Sequence, residues 1–261
     1  MKALLIDGLN LIRRVYAAVP DDETGADHFE GVVLSCERCL RRALRHHQPT
    51  HAVNVLDSGQ RSWRHERFAD YKAGRLPAPA PLLEGMPRLV ELFAEQGVRT
   101  LSPPESEADD VLATLASGIS DHKGQSVILS TNKSMCQLLN ENIEVYDHFA
   151  DRALDAAFVH DRFGVAPEQL LDLLALTGER RLNIPGIHSI GIRTAAKLVA
   201  DYGDLSHILE AGEEIPGKLG AKLRQGSDAA WLSYELMQLR STVVLGVNLS
   251  EFRYVPPREE S

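Results

Sequence analysis

Short apolar runs at residues 3–6, 52–56, 98–101, 127–129 and 143–146 have the length of strands. Between them, residues 29–47, 82–96, 107–117 and 133–139 repeat their apolar positions at helical spacing. Strands alternating with helices predict an α/β unit with a mostly parallel central sheet flanked by helices. After about residue 155 the strand-like runs stop. Residues 167–176, 194–202, 219–224 and 230–239 then read as helices, which predicts a smaller all-helical region. The division expected is 1–160 for the α/β unit, 161–250 for the helical one and 251–261 for a tail. Residues 58–81 are polar and basic, then rich in proline. The stretch is too long for an ordinary connector and is therefore functional or mobile.

A chain of 261 residues, 44% of them apolar, buries a sizeable core without disulfides. No apolar run approaches the roughly 18 residues that span a bilayer. The three cysteines, an odd and low count, fit a reducing cytoplasm. Cys36 and Cys39 form a CxxC within an Arg-rich helical stretch, and no second Cys/His pair has zinc spacing around it. They read as two helix cysteines rather than half a zinc site.

A net charge of −9 excludes a protein that coats nucleic acid through bulk charge. The charge is nevertheless segregated. Residues 61–75 carry Arg61, Arg64, Arg67, Lys72 and Arg75 against Glu66 and Asp70, whereas Glu105, Glu107, Asp109 and Asp110 crowd together with no base among them. The pattern suits an acidic metal pocket beside a basic substrate track; solvated faces of ordinary helices are the plainer alternative.

Asp7 and Asp57 each close an apolar strand, and Glu107, Asp109 and Asp110 follow the third. Ligands of open α/β sheets bind beyond the carboxyl ends of the strands. Carboxylates gathered there repel one another and need protons or cations, and a hard divalent ion such as magnesium is the natural neutraliser. Each acid also has a plainer reading. An Asp ending a strand forms turns, and acids in a first helical turn complement the helix dipole. Glu107 and Asp110 share one helix face.

Between residues 176 and 202 a helix ends near Gly178, a loop holds Pro185, Gly186 and Gly191, and a helix begins near Thr194. The pattern resembles a helix-hairpin-helix, whose loop aims backbone N–H groups at a phosphate. Arg193 and Lys197 lie on the first turns of the second helix. A Gly-rich turn between two packed helices is the alternative.

The motifs LLIDGLN, NVLDSG, SWRHERFADYKAGR, ESEADDVLATLA, STNKSMCQLL and NIPGIHSIGIRTAAKL, in this order, resemble the bacterial flap endonuclease and 5′→3′ exonuclease family, which includes the 5′-nuclease domain of DNA polymerase I. The likeness runs from Lys2 to about residue 245 and is strongest to the free-standing flap endonucleases of some bacteria. It implies a PIN-like nuclease domain, followed by a helix-hairpin-helix DNA-binding region. It also implies that Asp7, Asp57, Glu107, Asp109 and Asp110 hold magnesium, for which manganese can substitute, with Glu179 as a further ligand. Residues 58–81 would form an arch or clamp for a single-stranded 5′ end. Lys72 and Arg75 would act at the scissile phosphate, supported by Arg64 and Tyr71. Ser189, Ile190, Gly191, Ile192, Arg193, Thr194 and Lys197 would bind the duplex. Backbone oxygens of Leu176, Thr177, Pro185, Ile187 and Ile190 would bind potassium.

The chain departs from the family pattern where T-x-D-x-D becomes Ser130-Thr131-Asn132-Lys133-Ser134, and where G-D-S-S-D becomes Gly178-Glu179-Arg180-Arg181-Leu182. A second metal position thereby loses three of four carboxylates. Ser189 replaces a hairpin glycine at a position expected to need positive φ. The reading that follows is a cytoplasmic, monomeric, magnesium-dependent nuclease acting on flap or branched DNA with a free 5′ end. A junction-binding protein with little catalysis is the alternative. A phosphatase using Asp7 as nucleophile is disfavoured, because Leu9 stands where a second acid is wanted and the hairpin would have no role.

Overall fold

The computed structural model describes residues 1–20 and 26–257. In chain order the elements are β1 (Lys2–Asp7), α1 (Gly8–Ala18), α2 (Ala26–His47), β2 (His51–Val55), α3 (Trp63–Arg67), α4 (Ala80–Glu95), β3 (Arg99–Leu101), α5 (Ala108–Asp121), β4 (Gln125–Leu129), β5 (Ile143–Asp147) and β6 (Arg152–Ala153). The helices α6 (Ala156–Phe163), α7 (Leu170–Thr177), α8 (Ile192–Tyr202), α9 (Leu205–Ala211) and α10 (Gly217–Met237) complete the chain.

The strands form one sheet in the order β3-β2-β1-β4-β5-β6. The first five are parallel, and β6 runs antiparallel beside β5. The pleat sends alternate side chains to opposite faces. Leu4 and Ile6 join Val32, Cys36 and Leu40 of α2 and Leu89 and Phe93 of α4 on one face. Ala3 and Leu5 join Val111, Leu112 and Leu115 of α5 on the other. Burying each such Leu or Ile contributes about 1.5–3 kcal/mol. The second cluster continues without a break into Leu173, Leu176, Leu198 and Leu223, so the helical region shares its core with the sheet.

Because β1 pairs with β2 on one side and β4 on the other, the winding reverses at β1. A crevice opens at such a reversal beyond the carboxyl ends of the strands.

The structure differs from expectation at several elements. Helix α1 follows β1 directly, its Leu11, Ile12 and Val15 buried. Residues expected as a helix at 133–139 form a 3₁₀ turn, Lys133–Leu138. The helices expected at 219–224 and 230–239 are one helix, α10. Gly226 does not break it; a Cβ there would lie 2.7 Å from Ile187 Cγ2, so the glycine serves close packing against the hairpin. The segment expected as a tail from residue 251 is docked in its first part. Phe252 is buried, Arg253 bridges to His51, and Tyr254 N–H donates to Thr50 O. The rest of that expectation, residues 258–261, lies outside the described residues.

Candidate active site

The acids at the strand ends divide into two groups with different chemistry. Asp7, Asp57 and Asp109 form the first. Asp7 caps α1, accepting from Asn10 N at 3.3 Å, and also accepts from Ser130 Oγ at 2.7 Å. Asp57 Oδ1 accepts from Ala108 N at 2.7 Å, at the positive end of α5. The turn and dipole readings of these acids therefore hold, without exhausting their role. Asp109 accepts from a neutral donor, Asn132 Nδ2, at 2.8 Å. Burial pushes the Asp7 carboxyl up to about 6, and the charge of Asp57 adds to this against Ser130, Asn10 and Arg75. Burial, then the charges of Asp7 and Asp57, raise Asp109 well above the usual carboxylate range. Asp7 and Asp109 thus feel the charge of Asp57, with too few cations nearby to balance it.

Glu107 and Asp110 form the second group, and their charges are already matched. Arg64, only 2% exposed, spends all five N–H groups. Its Nη1 donates to Glu107 Oε2 at 3.0 Å and Asp110 Oδ2 at 2.7 Å, its Nη2 to Asp110 Oδ1 at 2.8 Å and Gln238 O at 2.9 Å, and its Nε to Leu236 O at 2.8 Å. Trp63 Nε1 and Arg240 N complete the shell of Asp110. Glu107 accepts in addition from Ser62 Oγ, Tyr71 Oη and Lys72 Nζ, the last at 2.8 Å. Burial alone would raise the Glu107 carboxyl, but Lys72 and Arg64 bring it below its ordinary value. Burial opposes the Arg64 charge, and Asp110 and Glu107 outweigh it.

The five acids expected as metal ligands are thus placed in different surroundings. Asp110 has both oxygens committed to Arg64, Trp63 and Arg240, and Glu107 is shared among four donors. Arg64 and Tyr71, expected at DNA, are 2% and 4% exposed and offer no surface to it. They brace Glu107 instead. Trp63 and Arg240 belong to the same brace, with the Arg240 guanidinium 3.5 Å from the Trp63 ring centre. Sequence reasoning missed both; WRHER preceding YKAGR was the available signal for Trp63, but nothing local marks Arg240.

Among the described residues, no three His, Cys, Asp or Glu side chains stand close enough to hold one ion as they are placed. The donor chemistry of Asp7, Asp57 and Asp109 nevertheless fits a hard divalent cation. They are oxygen donors with unbalanced charge, and Ser130 Oγ adds a neutral oxygen beside Asp7, whereas Asn132 turns its amide nitrogen to Asp109 and its oxygen to Ser134. The Glu179 side chain caps its own turn, accepting from Arg181 N at 3.0 Å.

Lys72 and Arg75 reach the edge from the basic loop. Lys72 Nζ lies among the carboxylates at Glu107, and the charge of Arg75 is felt at Asp7. The whole of residues 61–75 is therefore not one substrate track. Arg61, Arg67 and Arg75 are exposed, whereas Arg64 is internal.

The hairpin runs from the end of α7 to the start of α8. Gly178 and Gly186 approach so closely that a Cβ on Gly186 would lie 2.4 Å from Gly178 N. Ile187 N–H donates to Leu176 O, and Ile190 N–H to Ile187 O, so these two carbonyls already carry one bond each. The side chains of Ile187 and Ile190 are buried in the core, leaving only their backbone for any ligand. Ser189 has φ 60°, the left-handed conformation expected where a glycine is replaced. Gly191 caps α8, and Gly191, Ile192, Arg193 and Lys197 are exposed along its first turns.

Cys36 and Cys39 both lie on α2 as free thiols, and burial pushes the Cys36 thiol up to about 12. No helix among the described residues is long and apolar enough to cross a membrane.

Residues 2–164 match the 5′-3′ exonuclease N-terminal resolvase-like domain, and residues 165–260 match the 5′-3′ exonuclease C-terminal SAM fold. Flap endonuclease Xni of Aeromonas hydrophila is 43% identical over 258 residues, covering 98% of this chain and 97% of that protein. Flap endonuclease Xni of Shewanella baltica is 38% identical over 260 residues, covering 99% and 97%. Among solved structures, the T5 D15 protein co-crystallised with metal ions aligns with a TM-score of 0.75 at 18% identity, over 91% of this chain and 89% of that one. The catalytic core of Rad2 in complex with DNA substrate aligns with a TM-score of 0.61 at 15% identity, over 98% and 83%. At such identities the likeness is one of fold.

Proposed function

The chain belongs to the 5′-3′ exonuclease family, and from that premise we propose that it is a structure-specific flap endonuclease. It hydrolyses phosphodiester bonds in DNA with a free 5′ end, at the junction of single strand and duplex, using a divalent cation. The observation that carries this reading is the trio Asp7, Asp57 and Asp109, left with unbalanced charge at the sheet's winding reversal while the neighbouring acids are neutralised from within.

Magnesium is the cation these oxygen donors suit, with manganese as a substitute, and Asp7, Asp57 and Asp109 would hold it. Such an ion would supply charge stabilisation at the phosphate and would lower the pKa of water. Lys72 and Arg75 would face the phosphate being cut. Glu107 holds the Lys72 side chain in place, and Arg64 and Tyr71 hold Glu107. The hairpin binds the duplex through the backbone of residues 189–194, with Arg193 and Lys197 adding charge. The carbonyls of Leu176, Thr177, Pro185, Ile187 and Ile190 would take a potassium ion there. Action as a monomer in the cytoplasm belongs to the same reading, with the three cysteines as free thiols.

A second reading is a junction-binding protein of low activity. It is favoured by Asn132, which meets Asp109 with an amide, and by Leu182, which sits in an apolar cluster; neither brings a second metal position any charge. Cleavage mapping on a 5′-flap substrate separates the two. A cut at the flap base, absent when the 5′ end is blocked by a bound protein, supports the nuclease. Tight flap binding with no cut supports the binding protein.

A further inference from the structure

The loop that carries Lys72 is held from an unexpected side. Lys72 has φ 59°, a left-handed conformation that costs any residue with a Cβ, which crowds the backbone carbonyl there. Such a conformation persists only where the surroundings over-determine it. Here they do so from the helical region. Lys72 N–H donates to Leu182 O at 2.8 Å. Two residues earlier, Asp70 O accepts from Asn183 Nδ2 at 2.8 Å. Phe68 and Tyr71 pack with Leu182, Ile184, Leu236 and Met237 in a small cluster of their own.

The segment making these contacts is itself closed. Glu179 and Ile184 exchange both backbone hydrogen bonds, Leu182 N–H donates to Glu179 O, and Asn183 N–H to Arg180 O. Asn183 takes φ 56°, which aims its amide at the loop. The next residues along the chain are Pro185 and Gly186 of the hairpin turn, locked against Gly178.

We propose that Leu182 and Asn183 are positioning residues for Lys72: the hairpin segment fixes the backbone of the basic loop so that the Lys72 ammonium stands over the carboxylate edge. The inference rests on the reading of Lys72 as a group acting at the phosphate. It assigns Leu182 and Asn183 a role in turnover rather than in duplex affinity, because neither is part of the hairpin's phosphate-facing turn. Asn183 is exposed at the surface, so its replacement leaves the core intact.

The test is hydrogen exchange of the Lys72 amide together with single-turnover cleavage of a 5′-flap DNA by Asn183→Gly, Leu182→Ala and Leu182→Met. Asn183→Gly keeps the left-handed backbone and removes only the amide. Loss of one positioning hydrogen bond predicts roughly five- to tenfold faster exchange at Lys72 and a similar fall in the single-turnover rate, with flap-DNA Kd within about twofold. Leu182→Ala should behave alike and Leu182→Met should be close to wild type. Unchanged exchange at Lys72, or a loss confined to Kd, overturns the proposal. The exchange readout needs no activity, so a protein that does not cut flap DNA would fail the functional reading and still decide the positioning.

Discussion

Arg64 and Asp110 face each other as a buried bidentate pair, Nη1 lying 2.7 Å from Oδ2 and Nη2 2.8 Å from Oδ1. Two adjacent acids that look alike in the sequence, Asp109 and Asp110, thereby differ in their chemistry. One is neutralised from within, the other is left for a cation.

Removing one partner of such a pair leaves a buried charge alone. Arg64→Met should cost about 3–5 kcal/mol in unfolding free energy, and the double variant with Asp110→Leu should recover much of it. Urea unfolding of the singles and the double measures the coupling. Strict additivity would mean that the pair is not the unit the geometry indicates.

The trio of aspartates makes the opposite prediction. Burial first, then Asp57, push the Asp7 carboxyl from 3.8 up to about 6. For a carboxyl raised in the folded state, the stabilisation is full below about 4, fades as the pH rises, and is gone above about 6. In chelator, Asp7 should therefore make the protein less stable at pH 7 than at pH 4 by about 3 kcal/mol. His47 and His148, lowered to about 4 chiefly by burial, act in the reverse sense between 6.5 and 4. The contribution of Asp7 is thus read from the difference between wild type and Asp7→Asn across that range. A difference that does not change with pH would contradict it.

Ser189 carries a glycine's backbone angle with a side chain. Ser189→Gly should stabilise by about 0.5–1 kcal/mol, since relief of left-handed strain outweighs the added freedom of the unfolded chain. Ser189→Val should destabilise by about 1 kcal/mol or more, because a β-branched residue fits this region worst. Chemical denaturation of both variants reads the order directly.

At the hairpin, Arg193 and Lys197 are exposed on the opening turns of α8. Replacing both by Ala should weaken duplex binding and lower the slope of log affinity against log salt by about 1–2, leaving the cut position unchanged. An unaltered salt slope would remove these side chains from the phosphate contact.

The five parallel strands, the Asp that ends β1 and the Asp two residues past β2 were legible because strand burial and turn chemistry are local. So was the strained position at Ser189. The division of the acids was not. The shared face of Glu107 and Asp110 was read as a ligand face, yet their partner Arg64 lies more than forty residues away in the chain, and the carbonyls that complete its shell come from Leu236 and Gln238. The same limit applied to the break expected between residues 224 and 230, where Gly226 instead packs against Ile187 on another element. Helix α1 was not among the expected elements, because its start is masked by a strand ending in a residue that is also its cap.

The most direct measurement is cleavage of a 5′-flap DNA across a magnesium titration, with Asp109→Ala alongside. The account predicts cutting at the flap base that rises with magnesium and is lost in the variant while flap binding remains. Equal cutting by Asp109→Ala, or cutting by the wild type in excess chelator, would contradict a cation site built on Asp7, Asp57 and Asp109.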